Sequence, residues 1–233
     1  MKELSVVARK EARQILATRN VILSGLLFAV IFGGMSAPAV VAGEGDSQAA
    51  LDRLCFSLVL TLGLFYGYLF SGQAFLREKQ AGILETLLVS PLSIRQIWAG
   101  KTLGVLLPAY ALMILTAVLI TGIAGAIAGG LLVPSLPIIF HIVLVIPVYI
   151  ALATGVLGFV QLLLGMRENQ IVNVAVIFLI IFAITMTQQL MGPAFRFTWL
   201  LEAVLLAGGA LLLAGVGAAT RLLDVERIVR TIP

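Results

Sequence analysis

Residues 102–166, TLGVLLPAYALMILTAVLITGIAGAIAGGLLVPSLPIIFHIVLVIPVYIALATGVLGFVQLLLGM, run for 65 positions without a charged side chain. As one helix at about 1.5 Å per residue the stretch would be roughly 98 Å long, against a bilayer hydrocarbon core of about 30 Å. It must turn back once. Pro134-Ser135-Leu136-Pro137 is the strong breaker near its middle. Two apolar helices are therefore expected, about 102–133 and 138–166. Both are over-long, with Pro108 and Pro147 as kink sites and ends that lie along the interface.

Four further charge-free runs flank this hairpin: 24 residues between Arg19 and Glu44, 23 between Arg53 and Arg77, 27 between Glu168 and Arg196, and 18 between Glu202 and Arg221. A spanning helix needs about 20 apolar residues. The expected fold is thus an all-α polytopic membrane protein in one domain, 1–233. Its six spans lie at about 21–41, 54–76, 102–133, 138–166, 171–191 and 199–220. Composition agrees. Of the 233 residues, 61% are hydrophobic and 11% charged, with a mean hydropathy of +1.14. A soluble fold of this size cannot hide so much apolar surface, so a soluble enzyme is excluded.

The basic residues set the orientation. With the N-terminus in the cytoplasm, 13 of the 15 fall on the inner side: Lys2, Arg9, Lys10, Arg13, Arg19, Arg77, Lys79, Arg95, Lys101, Arg167, Arg221, Arg227 and Arg230. Only Arg53 and Arg196 fall outside, and the first outer loop is acidic, with Glu44, Asp46 and Asp52. Both termini are therefore expected inside, in the cell membrane. Charges placed beside apolar spans also argue against a nucleic-acid partner. Residues 1–41 do not read as a cleaved signal peptide, because the apolar run is of full span length and no small-residue cleavage site closes it. The lone Cys55 and lone His141 leave no Cys-based or multi-His metal site and no internal disulfide. Gly100-Lys101-Thr102 imitates the end of a nucleotide-binding loop, but Arg95 stands where its first glycine belongs and no strand precedes it. The chain has no ATPase site, catalytic residue or cofactor site of its own.

Two inner-side segments carry the remaining signal. Residues 2–19 read as an amphipathic helix: Leu4, Val7, Ala8, Ala12 and Ile15 share one face, with Lys2, Arg9 and Arg13 opposite. Such a helix lies in the interface and contacts membrane lipid. Its alternative is a generic membrane-proximal anchor. Glu11 breaks the pattern by falling on the apolar face, where a carboxylate needs a cation or several donors. Arg77, Lys79 and Lys101 are the candidate partners, with headgroup contact as the alternative. Glu3 on the outer face has no such need.

The second segment joins the second and third spans. Ile83, Leu84, Leu87 and Leu88 follow helical spacing after Gly82, Pro91 ends that helix, and Ser93 with Gln96 forms a capping box for the next. A helix at 81–90 thus hangs below the membrane with leucines to bury. It docks a cytoplasmic partner or the membrane underside, or else forms an interfacial re-entrant turn.

The run Arg77-Glu78-Lys79-Gln80-Ala81-Gly82-Ile83-Leu84-Glu85-Thr86-Leu87-Leu88-Val89-Ser90-Pro91-Leu92-Ser93 resembles the cytoplasmic loop of the type-2 exporter permeases of ATP-binding-cassette transporters. It matches that family's E-x-x-x-G-x-L-E-x-L-L-x-S-P-L pattern at every fixed position. Arg9-Lys10-Glu11 resembles the R-K-E signature of the family's elbow helix. The resemblance implies a permease subunit that pairs with a second copy or a related permease, above two copies of a separate cytoplasmic ATPase that binds ATP and Mg. Helix 81–90 would be the coupling helix, with Glu78, Gly82, Leu84, Glu85, Leu87, Leu88 and Pro91 as coupling residues and Glu85 as the specific polar contact. It also implies that Thr185, Thr187, Gln188 and Gln189, polar residues in the outer half of the fifth span, lie on the substrate path. The haem-handling permease of cytochrome c maturation is an alternative within the class, though its loop is usually less close to the S-P-L-S run. The short outer segment near 192–198 departs from larger relatives and argues against an outer gating domain.

Other classes fit less well. An intramembrane serine protease needs a G-x-S-G loop and a histidine, but Leu69 replaces the first glycine before Ser71-Gly72, and His141 lies at the opposite end of its span. A vitamin-importer membrane subunit would not need the leucine-bearing loop. His141 and Glu202 read as outer-interface residues, Glu202 pairing locally with Arg196.

Overall fold

The computed structural model describes residues 2–42, 46–83, 92–190 and 197–223, with the side chains of residues 166–190 described in part. Among the described residues every regular element is helical. In chain order these are α1 (Lys2–Ala17), α2 (Arg19–Ala42), α3 (Ser47–Gln80), α4 (Ile94–Ala128), α5 (Leu136–Leu163), α6 (Met166–Leu190) and α7 (Trp199–Ala219). Five of them, α2, α3, α4, α5 and α7, are long and apolar enough to cross a membrane. α6 is a further helix of 25 residues.

Local chemistry sets the boundaries. The helix expected over 2–19 stops at Ala17, and Thr18 folds its hydroxyl back onto the Gln14 carbonyl at 2.9 Å before α2 begins. Asp46 caps α3 by accepting from the Gln48 N–H at 2.9 Å. The segment expected at 102–133 begins eight residues earlier, at Ile94, because the Ser93/Gln96 capping box forms in full. It also ends earlier. Gly129 takes φ +71°, a left-handed conformation that costs glycine little. The turn of the hairpin follows, and Pro137 sits in the first turn of α5, where its missing N–H costs nothing. Three π-helical turns widen the long helices: Cys55–Val59 and Gly72–Leu76 in α3, and His141–Val145 in α5. The last lies immediately before Pro147, whose ring excludes a regular α-turn behind it.

α4 is the central element: α1, α2, α3 and α5 all lie against it, and α7 packs on α5. The core between α3 and α4 holds Tyr66, Phe70, Met113 and Ile120, all fully buried. Tyr66 and Thr116 share a hydrogen bond of 3.2 Å across it. Small residues permit the close approaches. Gly25 and Gly33 of α2 face Leu112 and Thr116, and Gly63 and Gly67 of α3 face Ile146, Ile150 and Thr154.

Candidate functional site

The most polar buried region of the described structure lies where α3 ends and α4 begins. α1 supplies Lys10 and Glu11, α3 supplies Glu78, and α4 supplies Lys101. Lys101 is 0% exposed, Glu78 2% and Glu11 1%. Lys101 Nζ donates to Glu11 Oε1 at 3.0 Å, Glu78 Oε2 at 2.5 Å and the Ala74 carbonyl at 2.7 Å. An ammonium has three N–H donors, and each has found an acceptor. The third acceptor sits in the π-turn Gly72–Leu76, and the Phe75 ring centroid is 5.6 Å from the same ammonium. Lys10, half-exposed, completes a charge-neutral set of two cations and two carboxylates. Its Nζ donates to Glu78 Oε1 at 2.9 Å and Glu11 Oε1 at 3.3 Å. Burial works against the Lys10 charge, but the bond to Glu78 and the charges of Glu11 and Glu78 outweigh it and hold its pKa above the ordinary lysine value.

α1 reaches this position because α4 has no side chains in its way. A Cβ on Gly100 would lie 2.7 Å from Val7 Cβ, and one on Gly104 would lie 2.5 Å from Glu11 Cβ and 2.8 Å from the Ala8 carbonyl oxygen. The glycines flank Lys101, so the amphipathic face of α1 (Val7, Ala8, Ala12, Ile15) beds on α4 with Glu11 opposite the lysine. Gly100-x-x-x-Gly104 is the signal in the sequence that would have located this contact.

The next residue of α3 turns elsewhere. Lys79 is also 0% exposed, and its Nζ donates to the carbonyls of Gln161, Leu162 and Leu164 at 3.1, 3.4 and 2.6 Å. These are carbonyls at the C-terminal end of α5, where a cation satisfies groups that the helix leaves unpaired. Asn169 donates to two of them, at 3.2 and 3.0 Å. Downstream, Trp98 anchors α4 to α5 through its indole N–H on the Gly155 carbonyl at 2.8 Å. The chain is thus bolted to the bundle on both sides of segment 84–91.

Several expectations change. Glu78 is not on an open docking surface: its carboxylate is buried and engaged by Lys10 and Lys101. Ala81 and Gly82 form a turn, with Gly82 at φ +68°, so no single helix begins at Ala81. Gly82 instead ends α3, donating its N–H to the Lys79 carbonyl at 3.3 Å. Glu3 has a partner, accepting from Gln96 Nε2 at 3.0 Å. Leu84, Glu85, Leu87, Leu88 and Pro91 lie outside the described residues, as does Arg196. Thr185, Thr187, Gln188 and Gln189 lie in α6; the Gln189 side chain is exposed and the other three are outside the described side chains.

At the far end of the bundle, near the N-terminal ends of α5 and α7, His141 and Glu202 are turned inward. Both are fully buried, and His141 Nδ1 lies 2.7 Å from Glu202 Oε2. The pairing follows from α5 and α7 meeting near their N-terminal ends beside Phe56, whose ring centroid lies 4.4 Å from that of His141 with the planes tilted by 30°. In sequence 60 residues separate the pair, with no periodicity to link them.

No protein-family model matches the chain, and no curated protein matches it.

Proposed function

We propose that the chain is the membrane permease subunit of an ATP-binding-cassette exporter of the type-2 class. It would cross the cell membrane six times, with both termini in the cytoplasm, and move its substrate with ATP hydrolysed by a separate ATPase. In this reading α6 also spans, as the fifth of six in chain order, and α1 is the elbow helix. The ATPase, in two copies, binds ATP and Mg. A second copy of the permease or a related permease completes the transport unit. Segment 81–90 acts as the coupling element, with Leu84, Leu87 and Leu88 buried in a cleft of the ATPase and Glu85 as its polar contact.

The observation that carries the reading is the double anchorage of this segment. A loop that transmits force must be stiff at both roots. Glu78 and Lys79 tie its upstream root to α1, α4 and α5, while Lys101 and Trp98 tie its downstream root to α1, α3 and α5. A push on segment 81–90 would then move helix ends as a unit rather than bend a tether. Lys10 and Glu11 of the R-K-E run meet Glu78 of the R-E-K run in the cluster.

Leu87→Asp tests it. Each buried leucine contributes about 1.5–3 kcal/mol, so the substitution is expected to abolish capture of the ATPase and transport-coupled ATPase stimulation while membrane insertion stays intact. Unchanged stimulation would sink the assignment. Charge reversal at Glu85 is expected to weaken ATPase association more than reversal at the exposed Glu168.

A further inference from the structure

On the flank of α4 away from Glu78, a groove of about 600 Å³ opens between α4, α5 and α7, with Leu4 of α1 also in its lining. Its two ends differ in chemistry. At the mouth stands Arg95, which is exposed and makes no hydrogen bond or ion pair with the described residues. Beside it the lining residue Gln96 donates to the carboxylate of Glu3 at 3.0 Å, so among the described residues Arg95 and, one hydrogen bond beyond the lining, Glu3 bring charges of opposite sign to this end. Farther in, the walls are Leu103, Ala151, Ala210 and Ala214. From Arg95 to Leu103 the groove follows α4 for about 12 Å at 1.5 Å per residue, most of one leaflet's share of a hydrocarbon core about 30 Å thick. Trp98 forms the floor and cannot swing out to fill it: its indole N–H is held by the Gly155 carbonyl, and its ring lies against Gly155 and Gly217. The space exists because α7 presents exposed alanines there, and apolar space open to hydrocarbon takes up hydrocarbon.

We propose that this groove is a binding site for one aminophospholipid of the phosphatidylethanolamine type. An acyl chain lies along Leu103, Ala210 and Ala214, the phosphate meets Arg95, and the ammonium meets Glu3. The zwitterionic headgroup is selected because the entrance carries both signs. Phosphatidylglycerol has no amine for Glu3, and the quaternary amine of phosphatidylcholine has no N–H to donate. The site rests on the membrane-spanning character of the helices and is independent of the coupling role.

Native mass spectrometry of the full chain in mild detergent, with phosphatidylethanolamine, phosphatidylglycerol or phosphatidylcholine added at equal concentration, tests it. One phosphatidylethanolamine per chain is expected, retained at least fivefold over the other two. Ala214→Phe should lower retention at least fivefold. Arg95→Gln should lower it for all three lipids, and Glu3→Gln should erase the preference among them. If Ala214→Phe does not assemble, Ala210→Leu and the surface change Arg95→Gln carry the test. Equal retention of phosphatidylglycerol and phosphatidylethanolamine by the unaltered protein overturns the site. So does retention that neither groove filling nor Arg95→Gln changes, or a dimer mass without lipid that Ala214→Phe abolishes. ATPase capture by the same variants separates the two proposals: it stays intact if only the lipid site fails.

Discussion

Lys101 shows how little freedom a buried charge leaves. Its three donors are spent on Glu11, Glu78 and the Ala74 carbonyl, and no water-facing surface remains to it. Removing it leaves two buried carboxylates to share the half-exposed Lys10, and breaking a buried pair typically costs about 3–5 kcal/mol. Lys101→Met is therefore expected to destabilise the protein by that order, read as a large fall in thermal unfolding temperature in detergent. Glu11→Gln removes one carboxylate of two. Lys101 keeps Glu78 and Ala74, so the loss is that of one bond to a charged group, about 1.5–3 kcal/mol. If the chain is the proposed permease, the same substitution should also reduce stimulation of its ATPase, because it loosens α1 from the roots of segment 81–90. A stability loss in Glu11→Gln equal to that of Lys101→Met would contradict this ranking. The need of Glu11 for a cation was legible in the sequence, since a carboxylate on an apolar helical face has to be paired. That Glu78 shares the same ammonium was not, because nothing in Arg77-Glu78-Lys79 says that Glu78 and Lys79 turn inward, or toward which helices.

At the scale of elements, the contact of α1 with α4 depends on two missing side chains. Gly104→Ala places a Cβ 2.5 Å from Glu11 Cβ and 2.8 Å from a backbone carbonyl oxygen, neither of which is the end of a flexible chain. Overpacking of this kind costs about 1–3 kcal/mol, and it should make α1 the first part of the chain cut by limited proteolysis. Gly122, on the same helix, has nothing within 4 Å of its would-be Cβ. Gly122→Ala should be neutral or stabilise by up to about 1 kcal/mol through helix propensity. Equal losses at both positions would mean that the α1–α4 contact does not set the stability of this region. The start of α4 was legible as a capping box, because caps are local chemistry. The bedding of α1 on Gly100 and Gly104 pairs elements some 90 residues apart in the chain, and apolar faces alone do not specify their partner.

For the whole molecule, orientation is the property that charge counting addresses. The turn between α4 and α5 exposes Leu131 (91%), whereas Ser93 is exposed at the opposite end of α4. In intact cells a membrane-impermeant maleimide should label Leu131→Cys, and should label Ser93→Cys only after permeabilisation. Cys55 is fully buried and should stay silent. The reverse pattern would invert the topology and place the Lys101 cluster outside, away from any cytoplasmic ATPase.

Helical class, the presence of several helices long and apolar enough to cross a membrane and the position of the hairpin turn were determined by the sequence alone. The physical reason is that each rests on local or additive quantities: hydropathy summed over a window, prolines and glycines that stop a helix, caps a few residues long. The tertiary structure alone decided which buried charges meet. The Glu11–Lys101, Glu78–Lys101, Lys79–α5 and His141–Glu202 contacts join residues from different helices, whose rotation about their own axes is set by packing. In helices apolar on nearly every side, hydrophobic periodicity no longer marks an inward face. Small residues and polar pairing then choose it, and these act only once the helices are side by side.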